Sequence, residues 1–281
     1  MLNDAAEFMR IICSNHKDTA WNLAAEEVLF KGRDSALLLY INPPSVVIGC
    51  NQFMESELDR AYCQKNNIGV YRRISGGGAV YHDGGNINYC FVQDKNPQLS
   101  SLNGAFLEPV EHILQSLGLQ VSRARRKDLW SGGYKISGTA SHIAKGRELH
   151  HGTLLYDSNL EALHAALGLI PGEKAEQPLK KKQHPQSKGI ASVPSPVANI
   201  RSLYPSFTAL SAQEFLGIFF EAALRYYGQL VQYSEEQGLN GERKGRQEDV
   251  ERFQGFGEKE LIDIEALCRQ KYRSRAWNEL K

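Results

Sequence analysis

The amino-acid sequence predicts an α+β domain in which a mixed β-sheet is flanked by helices. Apolar runs of β type and helical runs follow one another without strict β–α alternation, which argues against a doubly wound parallel sheet. No internal repeat is present, and 281 residues with 42% apolar composition can bury one sizeable core. The expected division is a main domain over residues 1–250, with residues 251–281 as a helical extension of the same domain.

The elements follow from local pattern. Residues 8–14 read as a strand and 19–32 as a helix, with Trp21, Ala24, Ala25, Val28 and Leu29 at helical spacing and Gly32 as its stop. Strands at 36–41 and 46–48 are separated by Asn42, Pro43 and Pro44, which force a turn. A helix at 55–65, a strand at 68–73, the glycine run 76–78 and strands at 79–82 and 86–92 come next. A helix at 101–117 precedes β-rich sequence over 120–156, where Ser131, Gly132 and Gly133 make a hairpin-type turn. Helices are expected at 160–167, 212–227 and 258–272, and an exposed loop with Lys180, Lys181 and Lys182 at 171–188.

Charge and composition remove several classes of function. Lys plus Arg (33) nearly balance Asp plus Glu (32), so a net charge of +1 gives no reason to expect nucleic acid or a membrane surface as partner. The apolar runs 36–41 and 46–49 are far shorter than the ~20 residues of a membrane span, and the amino terminus lacks an apolar signal core. Five cysteines without a CxxC pair read as reduced thiols in a cytosol-like compartment.

Three blocks can carry chemistry. Arg72-Arg73-Ile74-Ser75-Gly76-Gly77-Gly78-Ala79-Val80-Tyr81-His82-Asp83 sets two guanidiniums, a hydroxyl and three glycines between strands, a composition suited to holding an anion on backbone N–H groups. The GxxxxGK[ST] spacing is missing and a strand follows, so it is not a P-loop. In Lys135-Ile136-Ser137-Gly138-Thr139-Ala140, strand alternation places Lys135, Ser137 and Thr139 on one face; a solvated lysine on an amphipathic strand is the other reading. His150 and His151 should point to opposite faces of a strand and cannot share a metal without a bulge, and the sequence assigns no metal ligand.

Taken together, Arg-Arg-x-Ser-Gly-Gly-Gly-x-Val-x-His-Asp-x-Gly-Asn at 72–86, Lys-x-Ser-Gly-x-Ala at 135–140, His-His-Gly-Thr-Leu-Leu at 150–155 and Lys-Gly-Ile-x-Ser-Val at 188–193 resemble the lipoate–protein ligase A family. Trp21-Asn22-Leu23-Ala24 with Glu26 and Glu27, and Val46-Val47-Ile48-Gly49 with Asn51 and Gln52, extend the resemblance over roughly residues 10–275. It implies the catalytic fold shared by biotin and lipoate ligases. It also implies a two-step reaction, in which lipoate and ATP give lipoyl-AMP and a carrier lysine then takes the lipoyl group. By motif, Arg73, Gly76, Gly77, Gly78, Ala79, Val80, Tyr81, Asp83 and Lys135 would hold the nucleotide. Arg73, His82, Lys135, Ser137, Gly138, His151 and Gly152 would border the acyl substrate, with Lys135 catalytic and Mg²⁺ accompanying ATP. The implied partners are lipoyl-domain carriers: E2 subunits of 2-oxoacid dehydrogenases and the glycine-cleavage H protein. The implied location is the cytoplasm, or the mitochondrial matrix for a eukaryotic source.

The sequence departs from the family at several points. Gly49-Cys50-Asn51-Gln52-Phe53 stands where many members have Ile-Gly-Arg followed by Asn-Gln-Asn, which bears on acyl preference. Lys127-Asp128 stands where many have Asn-Asp, and 134–141 and 191–195 are closest to the lipoyltransferase branch. The accessory carboxy-terminal domain of many members is expected to be absent, which adds a separate small accessory protein to the expected partners. The alternative in the same fold is a transferase that uses pre-formed acyl-AMP or a carried lipoyl or octanoyl group. Its thioester form needs an activated cysteine, and none occurs between Cys90 and Cys268. A non-enzymatic lipoate-binding protein is the third reading.

Overall fold

The structure, a computed structural model, describes residues 9–95, 106–124, 127–169, 195–236 and 255–280. The expected loop at 171–188 and the motif at 188–193 lie outside the described residues. Along the chain come β1 (Met9–Ser14), α1 (Thr19–Lys31), β2 (Ser35–Ile41), β3 (Ser45–Ile48), α2 (Met54–Glu57), α3 (Arg60–Lys65), β4 (Gly69–Arg72), β5 (Val80–His82) and β6 (Asn86–Asp94). The second half adds α4 (Leu107–Ser116), β7 (Ser122–Arg123), β8 (Leu129–Ser131), β9 (Tyr134–Ser137), β10 (Thr139–Ala144), β11 (Arg147–Leu155), α5 (Leu160–Ala166), α6 (Ile200–Leu203), α7 (Ala212–Glu236), α8 (Glu258–Leu267) and α9 (Arg275–Asn278).

The main sheet has the order β1-β2-β6-β11-β10, with β1 and β2 parallel and the other neighbours antiparallel, so the mixed α+β architecture is as expected. Strand β2 is buried along its whole length because both faces are covered. Leu37, Leu39 and Ile41 join the core beneath α4 and α7, whereas Leu38 and Tyr40 join the core beneath α1 and α8. That two-sided burial is why its sequence is a continuous apolar run and not an alternating one. A small sheet, β4-β3-β5, packs with α2, α3 and α5 around a third cluster that includes Val46, Ile48 and Leu163. The hairpin sheet β7-β8-β9 turns through Gly132 (φ +56) and Gly133 (φ +82), the left-handed pair that a tight hairpin requires.

Several expectations are corrected. The helix expected at 55–65 is two helices, because Leu58 is extended (φ −148, ψ 160) and the Asp59 carboxylate caps α3 by accepting from Tyr62 N at 2.8 Å. The helix expected at 258–272 changes at Cys268 into a π-helical turn, Cys268–Tyr272. That turn brings Lys271 (2.7 Å) and the Tyr272 hydroxyl (2.6 Å) onto Glu27 of α1.

Two adjacent arginines at the end of β4 organise the small sheet. Arg72, 1% exposed, donates to the carbonyls of Gly49, Cys50 and Gln52 on one side and of Trp277, Asn278 and Leu280 on the other. Its own backbone carbonyl accepts from Trp277 Nε1 at 2.7 Å, so α9 is tied to β4 in both directions. Among the described residues neither Arg72 nor Arg73 has a carboxylate within salt-bridge range, and burial lowers the pKa of both guanidiniums, that of Arg73 to about 10. Both remain charged at neutral pH, with carbonyl dipoles supplying the compensation.

Lysine at position 72 has one nitrogen and cannot span the two groups of carbonyls. Arg72→Lys is expected to lower stability by about 2–4 kcal/mol and to accelerate amide exchange in Arg275–Asn278. Unchanged exchange there would show that the tie does not hold α9.

Candidate active site

A cleft of about 270 Å³ opens where the small sheet meets the edge of the main sheet, and a second compartment of about 130 Å³ adjoins it. Ala79, Val80, Lys135, Gly138 and Thr153 belong to the walls of both. The first reaches inward to Leu23, Tyr40 and Val47; the second is bounded by apolar side chains, among them Leu155, Leu163 and Val197.

Lys135 stands at the junction because the chain changes sheets there. Strand β9 belongs to the hairpin sheet and β10 to the main sheet, with the break at Gly138. The expected alternation holds within β9, where Lys135 and Ser137 both border the second compartment and Ile136 is buried in the core, and breaks at Gly138. Lys135, Gly138, Thr139 and Ala140 all border the first compartment, whereas Ser137 turns to the second and shares a hydrogen bond with the Tyr89 hydroxyl at 3.1 Å. Lys135 Nζ lies 3.2 Å from Asp128 Oδ2, and the solvated-lysine reading is set aside by its 26% exposure and this partner. Asp128 is delivered by Lys127, which adopts a left-handed backbone (φ +60) that folds the chain back so that Ala124 N donates to Asp128 O at 2.9 Å. Asp128 Oδ1 is buried and has no hydrogen-bond partner among the described residues.

The glycine loop is shaped by Arg73, which itself borders the first compartment. Its Nε donates to Ser75 Oγ (2.8 Å), Nη1 to Val47 O (2.9 Å), and Nη2 to Gly76 O (2.6 Å) and Gly78 O (2.7 Å). The sequence suggested a free guanidinium fork; in the structure every guanidinium nitrogen is engaged. In a trans peptide the C=O and the following N–H point in opposite directions, so carbonyls drawn onto Arg73 turn the Gly77 and Ala79 N–H groups away from it. Gly77 takes φ +83, and a Cβ on Gly49 would lie 2.3 Å from Gly77 O, so both positions need glycine. Gly78, Ala79, Val80 and His82 line the first compartment and Tyr81 the second. Gly76 and Gly77 stand behind that lining. Asp83 is not brought into the cleft: its carboxylate accepts from Gly85 N (2.9 Å) and Asn159 N (2.8 Å), because a short polar side chain at a strand end is captured by the nearest unpaired backbone amides.

His151 and His150 point to opposite faces of β11. His151 bonds Ser75 Oγ through Nε2 (2.6 Å) and Glu26 Oε2 through Nδ1 (2.8 Å), joining the cleft wall, the loop and α1. His150 instead bonds Ser141 Oγ (2.8 Å) and stacks on Phe106 on the other side. Glu26, which sequence reasoning did not place in the site, also accepts from the Tyr40 hydroxyl at 2.8 Å. The available signal was the adjacent pair Glu26 and Glu27 on a helix that is otherwise largely apolar. Glu26, Cys90 and His151 each bring one possible metal-ligand atom within 4.8 Å, the one such group among the described residues, and in the structure Glu26 and His151 are engaged with Tyr40, Ser75 and each other. Burial, with Arg73 and His151 nearby, pushes the His82 imidazole down to about 3. Gly152 completes the wall: a Cβ there would sit 2.3 Å from Tyr89 Oη and 2.9 Å from Gly138 O.

A lysine thus stands at the junction of two compartments beside a glycine loop, and no cysteine is among the described lining residues. The model of the lipoyl protein ligase A/B catalytic domain matches residues 18–223. Lipoate–protein ligase 1 of Staphylococcus aureus is 35% identical over 274 residues, covering 96% of this chain and 73% of that protein. The lipoate–protein ligase LplJ of Bacillus subtilis is 41% identical over 189 residues, but the match spans 66% of this chain and about half, 54%, of that relative. Among solved structures, the bi-partite lipoate protein ligase of Thermoplasma acidophilum, described with its E2 lipoyl domain, has a TM-score of 0.71 at 26% identity, covering 98% of both chains. Lipoate–protein ligase A bound with ATP has a TM-score of 0.67 at 25% identity, covering 97% of this chain and 98% of that one. The chain belongs to the lipoate–protein ligase family.

Gly152→Ala is expected to force apart Tyr89 and Gly138 and to destabilise the fold by about 1–3 kcal/mol. Wild-type thermal stability would show that the close approach is not a constraint. A second expectation concerns acid. His82 is neutral when folded and has an unfolded pKa of about 6.5. The unfolded chain therefore gains a proton first, and the contribution is intact above that value and lost progressively as pH falls toward about 3. Chemical denaturation should show His82→Gln to have a shallower loss of stability below pH ~6 than the parent; parallel slopes would refute it.

Proposed function

We propose that this chain activates lipoate with ATP and transfers the lipoyl group to a lysine of a lipoyl-domain carrier. The observation that carries the reading is the Lys135 ammonium in the wall shared by two compartments, one lined by Leu23 and Tyr40 and one smaller and more apolar. On this reading the first holds the acyl chain and the second the adenine. In the first step a lipoate carboxylate oxygen attacks the α-phosphorus and pyrophosphate leaves. In the second the carrier amine attacks the acyl carbonyl, loses its proton, and AMP leaves. Negative charge builds on the oxygens near Lys135 in both steps, and a preorganised ammonium with its counter-ion behind it stabilises that charge without reorganisation.

Arg73, committed to the loop carbonyls, holds the glycine loop in shape beside the phosphates, and His151, clamped by Glu26 and Ser75, forms the acyl wall. Asp83 supports the loop from outside the cleft. The donor set fits Mg²⁺: Asp128 offers a carboxylate oxygen unpartnered among the described residues, and Mg²⁺ commonly takes one or two carboxylates with substrate phosphates and water. Bound there with ATP, the ion would screen the triphosphate charge. The carriers on this reading are E2 subunits of 2-oxoacid dehydrogenases and the glycine-cleavage H protein. By analogy with the bi-partite archaeal ligase, a separate small accessory protein is a further partner. The place of action is the cytoplasm, or the mitochondrial matrix for a eukaryotic source.

Lipoate-dependent release of pyrophosphate from ATP, followed by mass gain on a lipoyl domain, tests the proposal. Folded Lys135→Ala should lose about two to three orders of magnitude in both half-reactions, and arginine should not rescue it. Undiminished lipoylation by Lys135→Ala would refute the assignment.

A further inference from the structure

A line of buried amides runs from the amino-terminal strand to the cleft and ends on His82. Ser14, Asn22, Asn42 and His82 are each no more than 6% exposed, and they come from β1, α1, the β2–β3 turn and β5. Asn22 Nδ2 lies 2.9 Å from the His16 carbonyl, which can only accept, so that end of the Asn22 amide is its NH₂. The same NH₂ faces Asn42 Oδ1 at 2.9 Å, and Asn22 Oδ1 accepts from Ser14 Oγ at 2.8 Å. With its oxygen fixed on Asn22, Asn42 must present its own NH₂ to His82 Nδ1, 3.0 Å away. Nδ1 is therefore an acceptor, and a neutral imidazole with Nδ1 accepting carries its one proton on Nε2.

We infer that Asn42, oriented by Asn22 and the His16 carbonyl, is a positioning residue that locks His82 as a neutral Nε2–H donor facing the cleft. The ring lines the first compartment together with Lys135, and no described residue takes up Nε2. The surroundings agree with a neutral ring: burial, Arg73 and His151 all disfavour the imidazolium, and the adjacent Asp83 carboxylate is turned onto Gly85 N and Asn159 N. A donor that cannot become charged and cannot swap its proton to the other nitrogen meets an oxygen in the cleft with the same polarity throughout the reaction. It complements Lys135: one group supplies charge, the other a fixed dipole. On the adenylation reading, the oxygen it meets belongs to the acyl carboxylate or the α-phosphate.

The tautomer can be read without substrate, which separates this inference from the function on which its catalytic meaning rests. Nitrogen NMR of histidine-labelled protein near pH ~7, with His82 assigned by its loss in His82→Gln, should show Nε2 protonated and Nδ1 as an unprotonated acceptor, unchanged over about two pH units. An Nδ1–H tautomer or an imidazolium in that range overturns the inference. Asn42→Asp offers only acceptors and should move the proton to Nδ1, lowering kcat for lipoate-dependent pyrophosphate release by about tenfold or more, with KM for ATP and lipoate changed less than about threefold. In the His82→Gln background, where no tautomer exists, the same substitution should lower kcat by less than about threefold; equal losses in both backgrounds would mean that Asn42 supports the fold alone. Should Asn42→Asp not fold, Asn42→Leu removes the amide donor without adding charge. It should give a mixture of His82 tautomers, and a pure Nε2–H signal in folded Asn42→Leu overturns the inference.

Discussion

Two neighbouring guanidiniums, Arg72 at the end of the four-residue strand β4 and Arg73 just after it, are buried, and what lies around them is arranged to satisfy them. Successive residues of a strand face opposite sides, so one arginine is delivered to α9 and the other to the glycine loop. A buried charge without a counter-ion is tolerable only when nearly every donor meets an oxygen. Arg72 therefore gathers carbonyls from the segment after β3 and from the α9 region, and Arg73 draws in those of Val47, Gly76 and Gly78. The same requirement that closes the small sheet curls the loop beside the cleft. The shape of the loop thus follows from how Arg73 is buried.

The rest of the cleft repeats this logic with other partners. Lys135 is backed by Asp128, His151 is held between Glu26 and Ser75, and His82 rests on Asn42. Each cleft group is fixed by a residue from a different element: the chain before β8, helix α1 and the loop, and the β2–β3 turn. Positions held from several directions do not need to reorganise when charge develops in front of them, which is the condition under which electrostatic stabilisation is largest. The close approaches at Gly49 and Gly152 serve the same end, since each lets a neighbouring group come nearer than a Cβ would allow.

Much of this was legible from local sequence. The order of strands and helices could be read because amphipathic spacing, caps and turn residues act over a few neighbours. Pro43 and Pro44 follow the end of β2, Gly32 caps α1, and Gly132 with Gly133 make the hairpin through their left-handed backbone. Lys135, His151 and the glycine loop stood out because charged residues, adjacent histidines and a glycine run have little place in a purely structural strand.

What the sequence could not decide was which groups meet. The break at Gly138 is invisible to a two-residue period, and it moves Lys135 and Ala140 onto the same cavity by passing the chain from one sheet to another. Asp83 and Arg73 look alike as site residues in the sequence, yet one is captured by backbone amides outside the cleft and the other by loop carbonyls at the cleft wall. Glu26, Ser75 and His151 are far apart along the chain and converge only through the packing of α1 beneath the main sheet. Backbone preference and apolar periodicity are properties of neighbours in sequence, so the sequence alone determined the elements. Hydrogen-bond partners and charge environments are set by strand register and layer packing over long separations, so only the tertiary structure decided the site.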